Sequence, residues 1–248
     1  SILTGEPAPI ELKMEIYSPA GDDLTNRPVL LVAHTGNFLP PYFNGGITGA
    51  MSDSTVVNIC KRLVKKGYVA AAFTYRQGWL PLAPDQDTRT GTLLQAAYRG
   101  IQDARTAVRY LRKTVAEDGN PYGIDPDKIG MWGVGTGSYV SLGASTLDDY
   151  EEVLLDKFLN SQTLEPLADT TLLGNFYATT QAPLCLPNHV DYSSDFSICV
   201  NMGGAMGDIS WLDGKENEPA FVGYHSTGDV FAPFGDEGAA AAVQRTGK

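Results

Sequence analysis

Asp125-Pro126-Asp127-Lys128-Ile129-Gly130-Met131-Trp132-Gly133-Val134-Gly135-Thr136-Gly137-Ser138-Tyr139 passes without a linker from a strand into a helix. Residues 128–133 form a short apolar run of the kind buried on both faces of a parallel sheet. Glycines then recur at alternate positions, and a helix of small residues is expected over 138–145. Glycine is required where a chain turns that sharply and where neighbours pack closely. Working outward, residues 11–17 alternate, with Leu12, Met14 and Ile16 on one face, as in a half-buried strand. Residues 28–33, 68–75, 196–202 and 219–225 read as further strands. A helix is expected from Ser52 or Ser54 to about Lys66, with Val56, Ile59, Cys60 and Leu63 on one side and Gly67 at its stop. A longer amphipathic helix is expected over 92–115, on the spacing of Leu94, Ala97, Ile101, Ala104, Val108 and Leu111. Strands alternating with helices imply parallel crossovers, and so an α/β fold: a mostly parallel sheet flanked by helices.

The 248 residues are 43% hydrophobic and 10% aromatic, which suits one large core rather than a disordered chain. No repeat or low-complexity linker divides them, so residues 1–248 are read as a single domain. Eighteen basic against 29 acidic residues give a net charge of −11, which repels phosphate backbones and disfavours nucleic acid as a partner. No apolar run approaches the roughly 18 residues of a transmembrane helix. Cys60, Cys185 and Cys199 match no zinc spacing. They read as three buried thiols, with a Cys185–Cys199 disulfide as the alternative. No His/Cys/carboxylate cluster has ligand spacing, so neither a metal nor a cofactor is expected.

The run Tyr122-Gly123-Ile124-Asp125-Pro126-Asp127-Lys128-Ile129-Gly130-Met131-Trp132-Gly133 resembles the lead-in to the nucleophile elbow of the α/β-hydrolase superfamily, in particular its carboxylesterase, lipase and acylaminoacyl-peptidase-like members. The resemblance extends over about residues 11–242. It implies the α/β-hydrolase fold, no cofactor, and small esters or acyl compounds as ligands. Aligned on its glycines, Gly133-Val134-Gly135-Thr136-Gly137 puts Gly135 where the superfamily carries its nucleophilic serine. Glycine has no side chain with which to attack a carbonyl. Thr136 follows, where the superfamily uses the backbone N–H as an oxyanion donor. Ser138, three residues past the apex, is either a substitute nucleophile or a helix cap.

The resemblance assigns other residues in the same way. His34-Thr35-Gly36-Asn37-Phe38 is similar to the superfamily's oxyanion loop, usually His-Gly followed by glycine or small residues. It implies a backbone donor within 36–38, with Gly36 and Asn37 in the site and His34 bracing the loop; an ordinary strand-end turn is the alternative. His225-Ser226-Thr227-Gly228-Asp229 and Pro233 are similar to the loop after the penultimate strand, which makes Asp229 the triad acid or, alternatively, a loop-capping aspartate. No histidine follows Asp229, so the resemblance implies that the base is absent or that the chain continues past Lys248 beyond the helix-like run at 238–245. His189 stands at the wrong place in chain order and reads as a surface or lid residue.

Residues 146–180, with 180–195, fall where relatives insert a lid, and a helical lid is expected over 146–195. Phe158, Leu159, Leu164, Leu167, Leu172, Leu173, Phe176 and Tyr177 either roof an apolar pocket or form the insertion's own core. Pro40, Pro41, Tyr42, Phe43 and Trp79 are candidates for the same mouth.

Three functions follow. The first is a catalytically impaired pseudo-hydrolase with a binding or interaction role, its protein partner unspecified. The second is an active serine-type esterase or peptidase, with the nucleophile engineered away or replaced by a neighbouring hydroxyl. The third, a nucleotide-binding domain, lacks the third fingerprint glycine and the Lys-Ser/Thr pair of a phosphate loop. The acidic composition and the start at Ser1 suit a processed secreted or periplasmic chain, with the cytoplasm as the alternative.

Overall fold

The computed structural model describes residues 9–21, 23–229, 231, 232 and 234; the helix-like run at 238–245 lies outside them. Six strands form one sheet: β1 (Met14–Tyr17), β2 (Arg27–Ala33), β3 (Val69–Phe73), β4 (Ile124–Val134), β5 (Ile198–Met202) and β6 (Ala220–Tyr224). Their order is β1-β3-β2-β4-β5-β6. β1 runs antiparallel to β3, and the other neighbours are parallel. The expected strands are all present, within a few residues of their expected ends.

β2 shows why its sequence is apolar throughout. Val29, Leu31 and Ala33 face one core, beneath the helices α3 (Gln86–Ala116) and α4 (Thr136–Thr146). Leu30 and Val32 face the other, against Val56, Cys60 and Leu63 of α2 (Ser54–Val64). A strand covered on both sides has no polar face. Fully burying each such Leu or Val contributes roughly 1.5–3 kcal/mol. Neither Ser52 nor Ser54 caps α2. Asp53 precedes it, and its carboxylate accepts the amides of Gly49 and Ala50 in the preceding loop.

α3 begins six residues before the expected start. Its first turns are polar and lack the apolar spacing, and Asp85 starts the helix by accepting the Thr88 amide at 2.7 Å. Asp103 on this helix is buried and receives the Nε and backbone N–H of Arg76, which follows β3. Burial alone pushes the Asp103 carboxyl upward, against the pull of the Arg76 guanidinium. Arg76 also donates to the Leu184 carbonyl and to Gln102, which in turn donates to the carbonyls of Leu173 and Asn175.

That network corrects the expected helical insertion. Residues 147–195 hold only two short 3₁₀ turns, Tyr150–Val153 and Asp156–Phe158, and one turn of helix, α5 (Thr170–Leu173). Pro166, Gly174, Pro183 and Pro187 interrupt longer helices. The carbonyls left over are satisfied by side chains of α3: Gln95 donates to Leu167, Tyr98 to Gly174, and Arg109 to Tyr177 and Asn188. Leu173 and Phe176 pack into the main core, whereas Leu164 and Leu172 are exposed. The three cysteines are free and buried.

Between β4 and α4, Gly137 lies directly on β2. A Cβ there would stand 2.3 Å from the Ala33 carbonyl oxygen and 2.6 Å from that of His34. Gly137→Ala is expected to cost about 1–3 kcal/mol or more, read as a lower denaturation midpoint; an unchanged midpoint would refute the close approach. Asp103→Ala strips the half-buried Arg76 guanidinium of its carboxylate and is expected to cost about 1–3 kcal/mol by urea unfolding.

Candidate active site

The strand-to-helix turn has the backbone of an elbow. Gly135 sits at φ +54° and ψ −117°, a conformation that L side chains rarely adopt. Such positions cost of order 1–3 kcal/mol for other residues and gather at functional sites. The Gly135 amide donates to the Met202 carbonyl, and the Gly135 carbonyl accepts the Ser138 amide, both at 2.9 Å. The turn is thereby locked to β5 on one side and to its own helix on the other.

Ser138 does not cap α4, whose N-cap is Gly135. It has no exposed surface, and its Oγ accepts the Met202 amide at 2.9 Å. The hydroxyl ties α4 to the end of β5, with no face open to a substrate. Thr136 opens the helix, and its backbone N–H points at Thr35 Oγ1, 3.4 Å away.

The loop after β2 carries consecutive positive φ angles at Gly36 (+122°), Asn37 (+56°) and Phe38 (+54°). Non-glycine residues hold such angles only where their surroundings fix them. Here Asn44 donates to the carbonyls of Gly36, Leu39 and Thr48, Trp79 Nε1 donates to the Asn37 carbonyl, and the Gly78 amide donates to that of Phe38. Trp79 thus supports the loop. Tyr42 and Phe43, on α1 (Pro41–Asn44), are exposed beside it.

His34 is 1% exposed and stacks on Tyr75, with ring centroids 4.4 Å apart. Burial lowers its pKa, so the ring is neutral. Its Nδ1 lies 2.6 Å from the Thr35 carbonyl, which only accepts, so the proton sits on Nδ1. The Tyr75 hydroxyl donates to the His34 carbonyl at 2.7 Å. These contacts hold the neutral ring between Tyr75 and the Thr35 carbonyl.

Asp229 Oδ1 accepts the amides of Phe231 and Ala232, which caps its loop, while Oδ2 lies 3.8 Å from His225 Nε2. Burial alone would raise the carboxyl, but the two amides and His225 hold it below its ordinary value, ionised at neutral pH. A Cβ built on Gly203, just past β5, would lie 3.8 Å from Oδ2, so the carboxylate sits at the end of β5. His225 Nε2 is 3.0 Å from the Ala232 carbonyl, and His189 packs beside Tyr110 of α3.

Two groupings escaped the sequence. Thr35 meets Gly135 across the ends of β2 and β4, and the only signal is that Thr35 stands second in a loop that otherwise resembles His-Gly. Asp148, Glu152 and Asp213 bring carboxylate oxygens within 4.8 Å of one another, with no spacing to announce it. The Lys215 ammonium answers that charge at 2.6 Å from Asp148 and 2.7 Å from Asp213.

The model of the BD-FAE family matches residues 14–180, more than half of the chain, including the loop after β2 and the elbow. No curated protein matches the chain. Among solved structures, a bifunctional GH43-CE protein of Bacteroides eggerthii superposes with a TM-score of 0.51 at 17% identity, covering 89% of this chain and 27% of that one. A thermophilic esterase of Thermogutta terrifontis, solved with butyrate bound, gives 0.49 at 18% identity, covering 91% and 70%. A truncated carbohydrate esterase from gut microbiota gives 0.43 at 20%, covering 76% and 50%. The first of these likenesses concerns the fold, and the family match agrees with it: the chain belongs to the BD-FAE family, a group of α/β-hydrolase-type esterases.

Proposed function

We propose that this member of an esterase family is a catalytically impaired hydrolase that keeps the scaffold for binding a small ester or acyl compound. The observation that carries the reading is Gly135, which holds the elbow backbone with no side chain at its apex. The burial of Ser138 supports it, because the next serine along the helix has no open face. Asp229 is read as the remnant of a triad acid, with His34, Gly36, Asn37 and Thr136 as the remnant of an oxyanion site. Losing a triad member costs about 10⁴- to 10⁶-fold in rate in this chemistry. The protein is therefore expected to act as a binder rather than as a slow enzyme.

The test is intact mass before and after a fluorophosphonate probe, alongside hydrolysis of a p-nitrophenyl acetate series. The expected result is an unchanged mass and release of nitrophenol at the buffer rate. A single adduct, mapped by peptide mass to any hydroxyl, together with turnover would establish the opposite reading, an active serine-type or threonine-type esterase.

A further inference from the structure

A side chain at position 135 would meet an obstacle from the facing strand. A Cβ built on Gly135 stands 2.2 Å from Thr35 Oγ1 and 3.0 Å from Thr35 Cβ. Both distances are inside ordinary contact, and the first is shorter than any real Cβ tolerates. Rotating Thr35 about χ1 moves its oxygen but leaves its Cβ in place. Its backbone has little room to recede. The preceding carbonyl, that of His34, is held by Tyr75, the Thr35 carbonyl by His34 Nδ1, and Gly36 is pressed so close to Gly49 that a Cβ on it would lie 2.4 Å from the Gly49 Cα.

We propose that Thr35 and Gly135 are a reciprocal pair: the Thr35 side chain fills from the end of β2 the seat that a side chain at 135 would take from the end of β4. The Thr35 hydroxyl also accepts the Thr136 amide, the N–H that would otherwise face a ligand carbonyl. The apex is therefore closed against a side chain, and the Thr136 N–H rests on Thr35 Oγ1 at 3.4 Å until a ligand oxygen displaces it. This inference rests on reading Gly135 as the nucleophile position, and it adds that restoring a side chain there is insufficient while Thr35 remains.

A thiol tests the pair without depending on a catalytic base, because it is alkylated directly. The variant Gly135→Cys is compared with Gly135→Cys/Thr35→Gly for the rate of iodoacetamide modification, located by peptide mass. The unaltered protein sets the baseline, its own three cysteines being buried. The expected result is modification at position 135 at least about tenfold faster in the double variant. Equal rates would overturn the proposal. If Gly135→Cys fails to fold, thermal melting of Gly135→Ala, Thr35→Gly and the double variant decides. A double variant that loses clearly less than the sum of the two singles supports the pair, and strict additivity overturns it. The fluorophosphonate experiment uses the unaltered protein and reports on activity alone, so the two readings fail separately.

Discussion

The absence of a Cβ at Gly137 lets the first turn of α4 rest on the carbonyls of Ala33 and His34. Much of the site follows from that contact. Gly133 repeats the requirement one step earlier, since a Cβ there would stand 2.3 Å from the Ser138 Cα. With the helix drawn onto β2, its third residue, Ser138, reaches the Met202 amide of β5. Its first N–H comes to face Thr35. The ends of three parallel strands are thus registered by one turn. A side chain at 133 or 137 would lift the helix, and the loop after β2, Gly135 and Asp229 would lose their common frame.

The second constraint is electrostatic. α3 carries Arg99, Arg105 and Arg109 in environments where burial lowers each guanidinium's proton affinity. Arg105 lies over the Tyr177 ring at 4.1 Å and donates to the carbonyls of Ala144 and Leu147. Arg109 donates to carbonyls of the segment that follows. Buried guanidinium groups are tolerated when donors and acceptors match in number and direction. An irregular segment with many free carbonyls supplies acceptors for Arg109, whereas Arg105 Nη1 finds no acceptor among the described residues and its guanidinium lies instead over the Phe176 and Tyr177 rings. The coat over α3 is irregular for the same reason that the helix beneath it is rich in arginine and glutamine.

How much of this was legible follows from range. The strands show as apolar runs because their burial is two-sided, and the elbow shows because its glycines are adjacent in sequence. The start of α3 was hidden because a polar first turn carries no periodicity; its signal was the Asp85 cap. The segment 147–195 looked helical from its leucines, but Leu173 packs into the main core and Leu167 against Gly91 of α3, and Pro166, Gly174, Pro183 and Pro187 leave no long stretch for a helix. The Thr35–Gly135 contact joins residues a hundred positions apart, and neither residue is unusual alone. Asp229 was legible as a loop residue beyond the last strand; one of its oxygens caps that loop, and the other lies 3.8 Å from His225.

The free cysteines bear on where the fold can survive. Cys60 is pushed up to about 12 by burial, with the Glu15 charge adding to it, and burial raises Cys185 and Cys199 as well. Disulfide exchange proceeds through the thiolate, so at neutral pH these sulfurs are poor partners for glutathione or for one another. Thiol–disulfide exchange with the native state is therefore slow. The same fold is expected to persist with or without reductant, and its shelf life in air is set by how often the core opens rather than by the chemistry of its thiols.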